Sequence, residues 1–154
     1  EINPKKLRNS MLIDGLTDVY GEYHMGITAE NVAEKFSVTR EEQDEFAHNS
    51  QMKAASAQEK KLFEEESSAV NLPDGSFFEA EETIRANSTL EKLATLRSVF
   101  KEGGTVTAGN ASGINDGASA IILMSKEKAV AENIPYIATI KVTSEVGVDP
   151  ALMG

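Results

Sequence analysis

Apolar positions in the first third of the chain recur at helical spacing. Ala29, Val32, Ala33 and Phe36 fall at i, i+3, i+4 and i+7, which is one face of a helix, and Thr28 stands where an N-cap is expected. The preceding stretch, Glu1 to Gly26, mixes turn formers with Met11, Leu12, Ile13 and Leu16 and predicts loop with short helical pieces. Thr39-Arg40-Glu41-Glu42 reads as a capping box, in which hydroxyl and carboxylate satisfy each other's free backbone N–H groups. The helix it opens is expected to run to about Lys61. Phe46, Ala47, Ser50, Ala54 and Ala57 would form its stripe of apolar and small residues, suited to close packing on another helix.

The helical period is lost from Leu62 to Thr83, where Pro73, Asp74-Gly75 and many acids predict a hairpin-like or extended excursion. Ser88-Thr89-Leu90-Glu91 reads as a second capping box, followed by Leu90, Leu93, Leu96 and Phe100 on a short helix that Gly103-Gly104 stops. Thr105 to Thr107 predicts a short strand entering a loop rich in glycine and asparagine that lasts to Gly117. Ala118 to Met124 is an apolar run of strand length, and its continuity predicts burial on both faces. Ser125 is expected to cap a helix to about Glu132. Ile137 to Thr143 alternates like a strand, and Gly147-Val148-Asp149-Pro150 reads as a turn. The fold class is therefore α+β: a mainly helical first two-thirds, a boundary near Thr105, then β–α–β. A last strand with nothing after it to cover it leads us to expect a piece of something larger.

Composition narrows the function. The 154 residues suffice for one domain with a core, and hydrophobic (40%) and charged (26%) shares are ordinary. No apolar run approaches the roughly 20 residues that span a bilayer, and Glu1 to Ser10 has no apolar signal-peptide segment. A formal net charge of −10 repels nucleic acid and anionic membranes, so neither is expected as a partner. The same charge opposes a polyanionic ligand unless its binding face is locally basic. With 0 cysteines, disulfides, thiolate catalysis and cysteine-built zinc sites are excluded. The default location is cytoplasmic, and no metal site is expected.

Few residues suggest chemistry by type. Ser112 stands in Asn110-Ala-Ser-Gly113, a setting where a backbone can approach a ligand closely or simply make a tight turn. His24 follows an aromatic and precedes Gly26; a lone histidine of this kind is as readily a surface or satisfied core group. His48 reads as a solvated helix residue. Arg85 offers a planar guanidinium for a purine face and Lys92 a point charge for phosphate, although both also suit an ordinary solvated surface.

Six segments, in order and at consistent spacing, carry a resemblance. They are Asp14-Gly-Leu-Thr-Asp18, Tyr23-His-Met-Gly26, Thr28-Ala-Glu-Asn-Val-Ala33, Arg40-Glu-Glu-Gln-Asp44, Gly104-Thr-Val-Thr-Ala-Gly-Asn-Ala-Ser-Gly-Ile-Asn-Asp-Gly117 and Gly147-Val-Asp-Pro150. Together they resemble the thiolase family, in its short-chain, biosynthetic branch. The resemblance implies a fold of two similar halves, each a mixed five-stranded sheet with helices, with a mainly helical, CoA-binding loop domain inserted in the first half. It implies that residues 1–104 are loop domain, 105–133 the last strand and helix of the first half, and 134–154 the start of the second.

The chemistry implied is the reversible Claisen condensation of two acetyl-CoA to acetoacetyl-CoA and CoA. Coenzyme A is there substrate and product, and no separate cofactor is used. The family's two catalytic cysteines and its histidine fall outside this sequence, so no catalytic residue is expected in the chain and the isolated chain is expected to be inactive. The resemblance implies that Ser112 bonds the pantetheine arm and that Ala108 and Ile114 line it, Ile114 being equally a candidate core residue. It places His24 and Met25 beside the acyl end, Leu16 in the tunnel wall, Phe100 in the same CoA-binding set, and Arg85 and Lys92 at the nucleotide. Partners implied are acetyl-CoA or CoA, the remainder of a thiolase polypeptide, and further copies in a dimer or tetramer. One departure stands out: Leu62 to Ile84 holds no Lys or Arg where relatives carry basic residues facing the 3′-phosphate. A non-catalytic module that binds an acyl-CoA or a protein is the alternative.

Overall fold

The computed structural model describes residues 7–153. These form two compact units, residues 7–112 with 149–153, and residues 113–148. The first unit opens with one π-helical turn, Met11–Gly15. Next comes a tight reversal in which the Asp18 carboxylate accepts from the N–H groups of Tyr20 and Gly21, and Thr17 pairs with His24 in an antiparallel bridge.

Helix α1 spans Met25–Phe36, and its N-cap is His24 rather than Thr28. The ring nitrogen of His24 takes the capping bond, the helix starts a turn earlier, and the Thr28 hydroxyl donates instead to the Met25 carbonyl (2.6 Å). Of the predicted apolar face, Ala33 is buried and Ala29 and Val32 are half-buried, whereas Phe36 is exposed with Lys35 Nζ 5.8 Å from its ring. Helix α2, Arg40–Glu59, begins at the predicted Thr39 capping box, with both reciprocal bonds formed.

The excursion is a hairpin of β1 (Val70–Asn71) and β2 (Phe77–Phe78), in register Val70↔Phe78 and Asn71↔Phe77. Gly75 sits in the left-handed region at φ 84°, which glycine adopts without steric cost. Helix α3 is shorter than expected, Leu90–Ala94, and is capped by Thr89 instead of Ser88. Leu96 and Phe100 lie beyond its end, where Ser98 bridges Thr107 and the Val99 N–H donates to Val106 (3.0 Å). A 3₁₀ turn, Pro150–Leu152, rests on α1, where Asn31 Nδ2 donates to the Ala151 carbonyl at 2.9 Å.

The buried apolar residues of this unit, Ala33, Leu93 and Val106, are outnumbered by buried polar ones: Asp18, Thr28, Glu30, Asp44 and Thr107. Its interior is therefore held by hydrogen bonds to carboxylates and threonines as much as by apolar contact. The stripe predicted for α2 is correspondingly shifted. Phe46 is 78% exposed and Ser50 is exposed, while Arg40, Asp44, Ala47, Gln51 and Ala54 face inward. His48, expected to be solvated, is half-buried, and its Nδ1 is shielded without a hydrogen-bond partner.

The second unit contains helix α4, Lys126–Ala131, which Ser125 caps as predicted through its hydroxyl and the Lys128 N–H. Its Ala129 is buried. The strands expected at residues 118–124 and 137–143 form no ladder among the described residues, and Ile121, Ile122, Ile137 and Val142 are exposed. An apolar run of strand length becomes a strand only when a neighbour supplies the other half of its hydrogen bonds. Among the described residues, no helix is long and apolar enough to cross a membrane.

Candidate functional site

Four of the predicted site residues meet at the start of α1. The Met25 N–H donates to the Leu16 carbonyl (2.8 Å), which sets the reversal and the helix entry side by side. His24 Nδ1 accepts from the Gly26 N–H at 2.9 Å. With Nδ1 accepting, Nε2 is the ring nitrogen left to donate. Phe100 stacks on the imidazole with ring centroids 4.6 Å apart and an interplanar angle of 18°. Gly26 lies under that ring, and a Cβ there would run into it. Leu16, His24, Met25 and Phe100 are all half-buried, so each keeps some exposed surface for a ligand.

The second element is the turn at 107–111, and its anchors are buried. Glu30, 3% exposed, points from α1 at the chain entering the turn. Its carboxylate accepts from the N–H groups of Thr105 (2.9 Å) and Val106 (2.8 Å) and from the Thr105 hydroxyl (3.0 Å). Burial alone would push this carboxyl up; the N–H groups of Thr105 and Val106, the Thr105 hydroxyl and the nearby Lys101 charge outweigh it and hold its pKa below the usual value. Gly104 lacks a Cβ where the Glu30 carboxylate sits. Inside the turn, Asn110 accepts from the Thr107 N–H (2.7 Å) and donates to the Thr105 carbonyl (3.0 Å) and to Asp44 (3.0 Å). Ala108 and Ser112 stay exposed on a backbone whose neighbours are fixed.

Helix α2 connects this turn to the predicted nucleotide contacts. Arg40 donates from Nε to Asp44 (2.7 Å) and from Nη2 to the carbonyls of Leu93 (2.7 Å) and Leu96 (2.9 Å), at the end of α3. Gln43 donates to the Thr105 hydroxyl at 2.9 Å. Gln51 accepts from the Arg85 N–H at 2.7 Å, fixing the backbone beneath that exposed guanidinium. Lys92 is exposed on α3, its ammonium on the Asn87 carbonyl at 3.0 Å. Ile114 belongs to the second unit and is 67% exposed.

Residue-type reasoning missed Glu30, Arg40, Asp44, Gln43 and Gln51, whose hydrogen bonds set the exposed residues in place. The one available signal was Arg40 and Asp44 at i, i+4 on a helix, where opposite charges meet. A cavity of about 520 Å³ lies elsewhere, between the last turns of α2 and the excursion, walled by Ala54, Ala57, Phe63, Glu81 and Ile84. None of the predicted site residues lines it. Among the described residues, no cluster of His, Cys, Asp and Glu could hold a metal ion.

Residues 1–127 match the N-terminal domain of thiolase. An acetyl-CoA acetyltransferase of Cupriavidus necator is 49% identical over 153 residues, covering 97% of this chain and 39% of its own length. A probable acetyl-CoA acyltransferase of Staphylococcus aureus is 50% identical over 150 residues, covering 95% of this chain and 38% of its own. Among solved structures, human mitochondrial 3-ketoacyl-CoA thiolase in complex with CoA superposes with a TM-score of 0.72 at 39% identity, over 83% of this chain and 32% of that one. The acetyl-CoA acetyltransferase of Bacillus anthracis gives 0.69 at 38% identity, over 84% and 34%. The chain thus spans about two-fifths of the length of these curated relatives.

Proposed function

The chain belongs to the thiolase family, and from that premise we propose that it is the coenzyme A-gripping portion of an acetyl-CoA C-acetyltransferase. The complete polypeptide would condense two acetyl-CoA to acetoacetyl-CoA and CoA, reversibly, and would assemble as a dimer or tetramer. Nucleophilic and proton-moving cysteines would come from sequence outside this chain, which has 0 cysteines. Its own part is to hold the substrate. The observation that carries this reading is the turn at 107–111: one buried carboxylate holds the chain entering it and a second, on another helix, holds Asn110 within it, while Ser112 and Ala108 are left facing solvent.

On this reading the Ser112 hydroxyl bonds the pantetheine arm, and the His24 Nε2–H and Met25 meet the acyl end. Leu16 and Phe100 supply apolar wall. Arg85 and Lys92 meet the adenine and phosphates. The acidic excursion at 62–84 has no Lys or Arg of its own to offer the phosphates.

The test is the Michaelis constant for acetyl-CoA of the complete polypeptide at low and high ionic strength. Ser112→Ala should raise it about two- to tenfold, as expected for one hydrogen bond of about 0.5–1.5 kcal/mol, at either salt concentration. Lys92→Ala should also raise it, but its effect should shrink as salt screens the lost charge. Equal salt sensitivity would mean that the pantetheine and nucleotide ends are assigned wrongly. No effect from either variant would remove the CoA reading.

A further inference from the structure

Two elements that touch opposite ends of the proposed ligand are tied together by one ion pair. The turn at 107–111 precedes Ser112, and α3 carries Lys92. Arg40 is 20% exposed and Asp44 6% at their side chains, so the pair is largely withdrawn from water. Asp44 divides its carboxylate: Oδ2 accepts from Arg40 Nε at 2.7 Å and Oδ1 accepts from Asn110 Nδ2, inside the turn, at 3.0 Å. Arg40 divides its guanidinium in the same way, with Nη2 donating to the Leu93 (2.7 Å) and Leu96 (2.9 Å) carbonyls. The line from turn to α3 therefore runs Asn110, Asp44, Arg40, Leu93 and Leu96 without a gap. Apolar contact reinforces it, since a Cβ at Gly109 would fall 2.5 Å from Leu96 Cδ1 and 2.6 Å from Leu93 Cδ2.

The geometry points to Arg40 and Asp44 as positioning residues that fix the spacing between the Ser112 turn and the Lys92 helix. They thereby match the protein to a ligand long enough to engage both at once, an acyl thioester carrying pantetheine and a phosphorylated nucleotide. The guanidinium suits this because its donors stand in a rigid planar fork, so both directions are set together. A lysine has one nitrogen on a flexible stem and cannot hold the carboxylate and two carbonyls in fixed relation. The inference rests on the CoA reading above, and its consequence is specific. Spacing matters only to a ligand that touches both anchors, so loss of the link should penalise acetyl-CoA and spare S-acetylpantetheine, which lacks the nucleotide and its phosphates.

The experiment compares kcat/KM for the two acyl donors in the complete polypeptide and in Arg40→Lys, Asp44→Asn, Ser112→Ala and Lys92→Ala. Arg40→Lys and Asp44→Asn should each lower the value for acetyl-CoA about tenfold and that for S-acetylpantetheine less than about twofold, the gap being the lost second anchor. Ser112→Ala should lower both donors, and Lys92→Ala only acetyl-CoA. Adding Arg40→Lys to Lys92→Ala should cost little more, since with one anchor gone the spacing no longer counts; that non-additivity is the signature of a coupled pair. Equal loss for both donors, full additivity with Lys92→Ala, or no loss from Arg40→Lys would overturn the inference. So would failure of both Arg40→Lys and Asp44→Asn to fold, which would make the pair a requirement of the fold alone. Ser112→Ala and Lys92→Ala both without effect would instead remove the CoA reading beneath it, and the inference with it.

Discussion

Burial of Glu30 disfavours its charged form, yet the Thr105 and Val106 N–H groups, the Thr105 hydroxyl and Lys101 favour it by more. A carboxylate whose folded pKa is depressed stabilises the fold fully above the unfolded glutamate value of about 4.3, and that stabilisation is lost as pH falls through the lower, folded value. Glu30→Gln keeps an acceptor for the N–H groups but cannot ionise. It should therefore cost less than Glu30→Ala, which strands buried donors at about 1–3 kcal/mol each. Its urea midpoint should also fall less steeply than the parent's as pH is lowered below about 4.3; parallel curves would show that other groups dominate the acid response. Gly26 poses a different residue-level contest. Alanine inside a helix gains up to about 1 kcal/mol over glycine, but its methyl would meet the Phe100 ring, and such overpacking costs about 1–3 kcal/mol. Gly26→Ala should lower the midpoint in the parent and raise it or leave it unchanged in Phe100→Ala, where the obstacle is gone.

At the scale of elements, helix ends set by neighbouring residues were legible in the sequence. The Thr39 box, the Ser125 cap and the Asp74-Gly75 turn each depend on a few adjacent residues, and each formed as read. Thr39→Ala should accordingly cost about 1 kcal/mol, seen as a lower urea midpoint. Two other caps fell to competitors within reach: a histidine ring took α1 from Thr28, and Thr89 took α3 from Ser88. The inward face of α2 was not legible because it is chosen by partners far along the chain. Asp44 meets Asn110 66 positions away and Arg40 meets Leu93 53 away, so polar residues turn in and Phe46 turns out. Within the candidate site, residue type and resemblance picked out exposed groups such as Ser112, but not the buried Glu30 and Asp44 or the half-buried Arg40 beneath them. The five-residue α3 is far below the roughly 12–15 residues that sustain an isolated helix. Its supports are the Thr89 cap, the burial of Leu93, and the Arg40 cation hydrogen-bonded to the carbonyls of Leu93 and, just past its end, Leu96.

At the scale of the whole chain, two outcomes are expected of the 154 residues alone. Thiolysis of acetoacetyl-CoA, followed by loss of its absorbance, should not exceed background, because the chain offers no thiol to carry an acyl group. The chain should also self-associate: Ile121 (81%), Ile122 (87%), Ile137 (106%) and Val142 (84%) stand in solvent in segments with unpaired backbone. Light scattering across a dilution series should show mass rising with concentration, and Ile122→Lys with Val142→Lys should reduce it; a monomer at all concentrations would refute this. The Glu30 latch, finally, has a history in time. Its carboxylate leaves the ribosome 75 residues before Thr105 does. At about 5–20 residues per second that delay is roughly 4–15 s. Through it, an apolar side chain destined for the interior would be a sticky patch open to every passing chaperone and neighbour. A carboxylate waits in water at no such risk, so much of the helical unit's interior stays soluble in the nascent chain until the last piece arrives to dry it.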